Sequence, residues 1–161
     1  MNTRLFYFSI FIICTGLLGF GLYLEHSVGL EPCPLCVFQR IAYISMAIIA
    51  LLAAIHGPSQ VFARIYSGLI AVAALIGGAI AGRQVWLQHL PPDKVPECGP
   101  GLEYMLDTFP LGDALKMILS GSGECAEVDW TFLGFSIAEW SLLWFVLFVI
   151  VSLVSIFSKN T

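Results

Sequence analysis

Two cysteines separated by two residues are the clearest chemical feature of this chain. Cys33 and Cys36 form a C-x-x-C motif, a spacing that serves zinc sites, haem attachment and redox centres. Haem attachment needs a histidine directly after the second cysteine, where this chain has Val37. A zinc site needs a further ligand pair, and the widely spaced Cys98 and Cys125 do not form one. The motif therefore favours thiol–disulfide chemistry, and we predict no metal site.

Arg40 follows the motif by four residues, which places it one helical turn from Cys36 on the same face. The free N–H groups and the dipole of a helix N-terminus favour a cysteine thiolate. A charged arginine at the edge of a hydrocarbon layer is costly and usually functional. It can stabilise a thiolate or hold an anionic ligand such as a reduced quinone. The alternative is an arginine whose guanidinium extends to the lipid head groups.

Cys98 and Cys125 lie in stretches rich in glycine, with prolines around Cys98, which predicts irregular loops. A bond between them would close a loop of about 28 residues, worth roughly 3.6 kcal/mol in the chain-entropy model. A purely structural disulfide is therefore one interpretation. The flexible flanks favour the other, a labile disulfide within reach of another protein's thiolate. Cys14 lies within the first apolar stretch and is predicted to be a buried structural thiol.

Four long apolar stretches must position these residues. The chain is 58% hydrophobic and 11% charged, whereas soluble domains are about 45–50% apolar and about 25% charged. A membrane-spanning helix needs about 20 apolar residues. We predict an all-α membrane protein, a four-transmembrane-helix bundle in a single domain over residues 1–161. The predicted spans are 5–24, 37–55, 65–87 and 137–157.

The first apolar stretch is longer than the roughly 7–15 residues of a signal-peptide core, and no small-residue cleavage site follows it. We therefore expect it to be retained as a transmembrane helix.

Charge predicts the orientation of the bundle. The acidic residues lie in or beside segments 25–36 and 88–136, whereas Arg4, Arg64 and Lys159 lie on the opposite side. The positive-inside rule then places both termini in the cytoplasm and the two acidic segments in the periplasm. Disulfides persist on that oxidising side. The net charge of −4 argues against a nucleic-acid partner.

The second outer loop contains a candidate helix between Pro110 and Gly121. Its apolar residues share one helical face, which predicts a short amphipathic interfacial helix on the membrane surface. A helix packed on the bundle is the alternative.

These features together resemble the DsbB family, the disulfide bond formation proteins B. The resemblance covers nearly the whole chain and depends on four helices, the C-x-x-C before the second helix, and two loop cysteines. Its most specific residues are Cys33, Cys36, Gln39 and Arg40, followed by Gly123, Glu124, Cys125, Ala126, Glu127, Trp130, Phe132, Leu133 and Gly134.

The resemblance implies a relay of two cysteine pairs in the bacterial inner membrane. A DsbA-type periplasmic thiol oxidase would exchange with the Cys98–Cys125 pair, and Cys125 would then attack Cys33. Cys36 would be freed beside Arg40, and the electrons would pass to a membrane quinone, either ubiquinone or menaquinone. The DsbA–DsbB–quinone system is the established example of such a relay, and it keeps the bacterial periplasm oxidising.

Gln84 and His89 match the family's motif on the third helix, which implies that both contact the quinone. The segment between His89 and Cys98 is short and proline-rich in this chain. In DsbB proteins this stretch can be longer, so we expect the shorter segment to change how far Cys98 can travel toward Cys33 and with it the order of the exchange steps.

Other classes of protein share parts of this pattern. A vitamin K epoxide reductase-like enzyme would carry its C-x-x-C toward the end of the last core helix, not before the second. A DsbB paralogue with a dedicated partner would share every motif. A structural four-helix protein would gain little from a four-residue ring, roughly 1.9 kcal/mol. A transporter would usually carry ionisable residues near mid-membrane, whereas Arg40, Arg83 and Glu139 lie near the outer edge of the predicted spans.

Overall fold

The computed structural model describes residues 3–30, 32–96, 104, 107–121, 123–128 and 130–157. Four long helices dominate these residues, and short elements connect them. In chain order the elements are α1 (Thr3–Tyr23), a π-helical turn (Leu24–Val28), α2 (Pro34–His56), α3 (Gln60–Gln88), a 3₁₀ turn (Pro92–Lys94), α4 (Leu111–Ser120), α5 (Gly123–Ala126), β1 (Thr131–Phe132), β2 (Phe135–Ser136) and α6 (Ile137–Phe157).

The four long helices, α1, α2, α3 and α6, are each long and apolar enough to cross a membrane. Large apolar side chains are exposed along them, including Ile48, Leu75 and Val154. In water such a surface would be unfavourable, whereas lipid solvates it. The prediction of an all-α bundle with four spans is confirmed, and the chain is a multi-pass membrane protein.

The bundle is held together by contacts between helix neighbours: α1 packs on α2, α2 on α3, and α3 on α6. Tyr7, Met46, Ile70 and Phe145 are among the fully buried core residues. A Cβ added at Gly77 would overlap the ring of Phe145. The glycine therefore allows α3 and α6 to approach closely, as small residues do between membrane helices.

The second helix begins at Pro34, three positions before the expected start of the span at 37. Proline suits the first position of a helix because its ring fixes φ near the helical value and no N–H is left unpaired. Cys33 is consequently the N-cap residue, with extended backbone, and Cys36 lies within the first turn of α2. Hydropathy alone missed this turn because it is less apolar than the rest of the helix.

The first helix continues through the π-helical turn Leu24–Val28, where the sequence predicted a loop from residue 25. The turn ends at Gly29, whose φ of 77° is a left-handed value that glycine adopts without strain. Because of this extra turn, Glu25 is carried on helical backbone and reaches Arg40.

A tight β-hairpin leads into α6. Leu133 and Gly134 form its two-residue turn, with φ values of 54° and 84°, as a type I′ turn requires. Ser136 and Glu139 then form a capping box at the start of α6. The Ser136 N–H donates to the Glu139 carboxylate at 2.7 Å, and the Glu139 N–H donates to the Ser136 hydroxyl at 3.2 Å.

The loop helix α4 is present where the amphipathic pattern predicted it. Its Ile118 is buried against the bundle, whereas Leu115 and Leu119 are exposed. The Arg83 guanidinium on α3 donates a 2.9 Å hydrogen bond to the Ser120 carbonyl at the end of α4. This contact fixes the end of α4 on the bundle; its contact with the membrane surface stays a prediction.

Candidate active site

The two sulfur atoms of the C-x-x-C motif lie 3.2 Å apart at the N-terminal end of α2. Both cysteines are free thiols, and the Cys33 thiol donates toward the Cys36 sulfur. Cys33 is buried and Cys36 is partly exposed. The geometry suits a pair that alternates between dithiol and disulfide with little backbone movement.

Cys125 joins this pair from the loop. It lies on the short helix α5 and is fully buried in an apolar cluster with Cys33, Leu35 and Leu87. Its thiol interacts with Cys33, and this contact is the largest of the influences that raise the pKa of Cys33; Cys36 and burial act in the same direction. Cys33 therefore keeps its proton at neutral pH, which leaves Cys36 to carry the thiolate.

The structure thus brings together three of the four cysteines predicted to be catalytic. The fourth, Cys98, lies outside the described residues.

Gln84 contacts both sulfur atoms of the motif. Its Nε2 lies 3.3 Å from the sulfur of Cys33 and 3.3 Å from that of Cys36. Gln39, one turn along α2, donates from Nε2 to the Gln84 Oε1 at 2.7 Å. The structure places the Gln84 amide against the cysteines and its side chain on the wall of the adjacent cavity; its contact with a quinone stays a prediction.

Arg40 lies on the wall of a cavity and forms an ion pair with Glu25. Its second terminal nitrogen lies 3.4 Å from the carbonyl oxygen of Gly21 on α1. The Arg40 side chain is about one-quarter exposed, which is consistent with a charge held at the edge of the bundle. The ion pair fixes Arg40 beside the first turn of α2, on the side where Cys36 lies.

His89 is not brought to this group of residues. Its side chain is 67% exposed. Its Nδ1 lies 2.8 Å from the Val85 carbonyl, and its Nε2 is 3.8 Å from Glu139. The imidazole therefore lies at the junction of α3 and α6, and the walls of the cavity do not include it.

The cavity beside the cysteines has a volume of about 530 Å³ and lies between α1, α2, α3 and α6. Cys36, Arg40 and Gln84 line its polar side. Glu25, Glu124 and Glu127 also belong to the lining, and aromatic and aliphatic side chains, among them Trp144 and Leu18, form most of the remainder. Its size is in the range of small-molecule sites, which are mostly apolar with a few convergent polar groups.

Two residues of this site received no role from the sequence. Glu25 is the partner of Arg40, and a signal was present: an acidic residue at a span edge needs a nearby cation. Gln39 was noted as part of the motif, but only the folded helices show that it holds Gln84. Gln39 and Gln84 are 45 positions apart along the chain, so the sequence alone does not reveal their contact.

Comparison with known proteins identifies relatives over almost the full chain. The family model described as "Disulfide bond formation protein DsbB" matches residues 3–155. Disulfide bond formation protein B of Aromatoleum aromaticum is 51% identical over 159 residues, which cover 99% of this chain and 95% of the relative. The proteins of the same name from Azoarcus sp. and Acinetobacter baumannii are each 54% identical, covering 88% and 87% of this chain and 85% and 82% of theirs.

A four-span helical bundle with clustered cysteines at one helix end defines a membrane-bound thiol oxidoreductase of disulfide bond formation. The chain belongs to the DsbB family.

Proposed function

We propose that this protein reoxidises a periplasmic DsbA-type dithiol oxidase and passes the electrons to a membrane quinone. It would thereby sustain disulfide formation in periplasmic proteins. The single observation that carries the proposal is the contact of Cys125 with Cys33 beside Cys36, at the edge of an apolar cavity lined by Arg40. Two sulfur centres that must exchange are already adjacent.

The first part of the reaction is thiol–disulfide exchange between the partner and the Cys98–Cys125 pair. A partner thiolate attacks Cys98, a mixed disulfide forms, and Cys125 leaves as a thiolate. Cys125 then attacks Cys33 of the Cys33–Cys36 disulfide, and Cys36 leaves as a thiolate. The buried contact between Cys125 and Cys33 supports this second step because no large movement is needed.

The partner's second thiolate then attacks the mixed disulfide, which completes the partner's own disulfide and frees Cys98 as a thiolate. Cys98 attacks Cys125 of the Cys33–Cys125 bond, which restores the Cys98–Cys125 disulfide and releases Cys33. Cys33 and Cys36 are left as a dithiol.

The second part returns Cys33 and Cys36 to the disulfide. When bound, a quinone supplies an acceptor for the two electrons and two protons that the dithiol loses. The residues fit such a group: the apolar walls suit a flat ring and an isoprenoid chain, and Arg40 can donate hydrogen bonds to a ring oxygen. Arg40 also favours negative charge beside Cys36. Ubiquinone is proposed, with menaquinone as the alternative.

The same function sets the orientation in the membrane. The cysteine end of the bundle faces the periplasm, where a secreted dithiol partner can reach it, and both termini lie in the cytoplasm. The excess of basic residues at the other end, Arg4 and Arg64 among them, supports this orientation in a bacterial inner membrane.

The test is catalytic turnover by purified protein in detergent, with a reduced DsbA-type protein and a soluble ubiquinone analogue. The parent should reduce quinone, whereas the variants Cys33→Ser, Cys36→Ser and Cys98→Ser should each lose turnover. Cys14→Ala is the matched control, because Cys14 is buried in the core away from the motif. A parent that leaves both the quinone and the dithiol unchanged would refute the proposal. So would retention of turnover in the Cys36→Ser variant.

A further inference from the structure

Two buried glutamines connect α2 and α3 directly behind the cysteine pair. Gln39 is 5% exposed and Gln84 is 4% exposed. A buried carboxamide is costly unless its polar atoms are hydrogen-bonded. Here the partners of the Gln84 amide are the two sulfur atoms and the second glutamine.

The contact with Gln39 sets the orientation of the Gln84 amide. Gln39 donates from Nε2, so the atom of Gln84 that it meets at 2.7 Å must be the acceptor Oε1. The two N–H groups of Gln84 are then turned to the sulfurs of Cys33 and Cys36, each 3.3 Å away. A primary amide has two donors, one for each sulfur.

Cys36 receives donors from two directions. The Cys33 thiol donates at 3.2 Å and the Gln84 amide at 3.3 Å. When Cys36 is protonated, its own S–H can instead donate to the Gln84 Oε1, which lies 3.5 Å away. The same side chain therefore serves both protonation states of Cys36, whereas an aliphatic residue at position 84 would serve neither.

We propose that Gln84 is a catalytic residue of the cysteine pair, whose amide stabilises the Cys36 thiolate, and that Gln39 is the positioning residue that keeps this amide turned to sulfur. The inference rests on the proposed function and refines it, since it gives Gln84, which also lines the cavity, a role on the sulfur side of the reaction. In that reaction two S–H bonds break and one S–S bond forms. The two electrons and two protons released are taken up by the quinone. Gln84 itself gains and loses no atoms.

The test is the pH dependence of Cys36 alkylation by iodoacetamide in the reduced full-length protein, read by mass spectrometry. It reports the thiolate without any quinone present. In Gln84→Met the alkylation rate of Cys36 at neutral pH should fall about tenfold, because a hydrogen bond to a charged group is lost. Gln39→Met should lower the rate by a smaller factor. Gln60→Met, the same change at the opposite end of α3, should leave the profile unchanged.

A second variant covers the case in which Gln84→Met does not fold. Gln84→Glu keeps the size of the side chain but replaces the donors with a carboxylate, and it should also slow alkylation at neutral pH. A parent-like profile in a folded Gln84→Met or Gln84→Glu variant would overturn the inference. Quinone turnover by the parent is measured on the same preparation. Its absence would refute the proposed function, whereas the alkylation profiles decide the contact of Gln84 with the thiolate separately.

Discussion

Among the individual residues of this protein, three cysteines whose sulfur atoms lie in different environments carry the proposed chemistry. Cys33 is buried and keeps its proton, because contacts with Cys125 and Cys36 and the loss of solvent all raise its pKa. Cys36 is partly exposed at the cavity and accepts hydrogen bonds from Cys33 and Gln84. This asymmetry supports the proposal that Cys33 exchanges with Cys125 while Cys36 acts toward the cavity.

Replacing Cys36 by serine should trap the exchange between the two cysteine pairs. In Cys36→Ser, Cys33 can attack Cys125 of the Cys98–Cys125 disulfide, and Cys98 leaves as the thiolate. No Cys36 thiolate is then present to attack Cys33 and release Cys125, so the Cys33–Cys125 bond should persist after oxidation. Peptide mapping by mass spectrometry under non-reducing conditions should show this cross-link. A free Cys33 in the oxidised variant would contradict the order of exchange, and Cys14→Ala is the control that should show no such cross-link.

Arg40 and Glu25 should differ in importance although they form one ion pair. Arg40→Gln removes the positive charge beside the cysteine and the cavity, and should slow quinone reduction by about 100-fold. Glu25→Gln leaves that charge in place and removes only a partly exposed partner, so the change should stay within about fivefold. Steady-state rates over a range of quinone concentrations measure both. Equal losses of the quinone-reduction rate in the two variants would contradict this prediction, because they would show that the reaction needs the ion pair and not the charge of Arg40 alone.

Among the secondary-structure elements, the loop helices α4 and α5 position Cys125 against Cys33. Arg83 donates to the carbonyl at the end of α4, and its guanidinium lies 4.3 Å from the centre of the Trp86 ring. A cation at the C-terminal end of a helix is favourable because the carbonyl ends carry partial negative charge. Arg83 thereby fixes the start of the stretch that leads to Cys125.

Loss of this contact should slow one half of the relay only. In Arg83→Gln, turnover driven by the DsbA-type partner should fall about two- to fivefold, the range of a helix-end charge. Turnover driven by dithiothreitol, a small dithiol that does not have to dock on the loop, should not change. Arg64→Gln, a charge removal at the opposite end of the bundle, is the control. An equal loss with both reductants would contradict a role restricted to the loop.

Sequence patterns predicted the long elements well and the short ones poorly. Hydropathy identified the four spans because lipid exposure demands uninterrupted apolar runs. It missed the first turn of α2 at Pro34 and the π-helical turn after α1, since both are more polar than the spans. The hairpin was missed because Leu133-Gly134 is not among the usual two-residue turn sequences, such as Asn-Gly.

The sequence predicted those residues of the candidate site whose type and local spacing indicate a chemical role. A C-x-x-C beside an arginine is informative before any fold is known. The contacts of Gln84 with sulfur and of Glu25 with Arg40 depend on how helices pack, which one sequence does not encode locally. The exposure of His89 belongs to the same group.

At the scale of the whole molecule, the bundle separates a cysteine end from a basic end. Membrane orientation is therefore testable with introduced cysteines in a background where the native ones are replaced. Lys94→Cys is exposed at the cysteine end, and Ser59→Cys is exposed at the other. A membrane-impermeant maleimide added to cells with a permeabilised outer membrane should label the first and not the second. The reverse pattern would contradict the proposed orientation.

The central claim is that electrons from a protein dithiol leave through the cysteine pair to a quinone. Its most direct test is the stoichiometry of a reaction without oxygen, with purified protein, excess reduced DsbA-type partner and a limited amount of ubiquinone analogue. We predict one quinone reduced for each partner disulfide formed, with the reaction stopping when the quinone is exhausted. Continued disulfide formation without quinone, or quinone reduction without partner oxidation, would contradict the account.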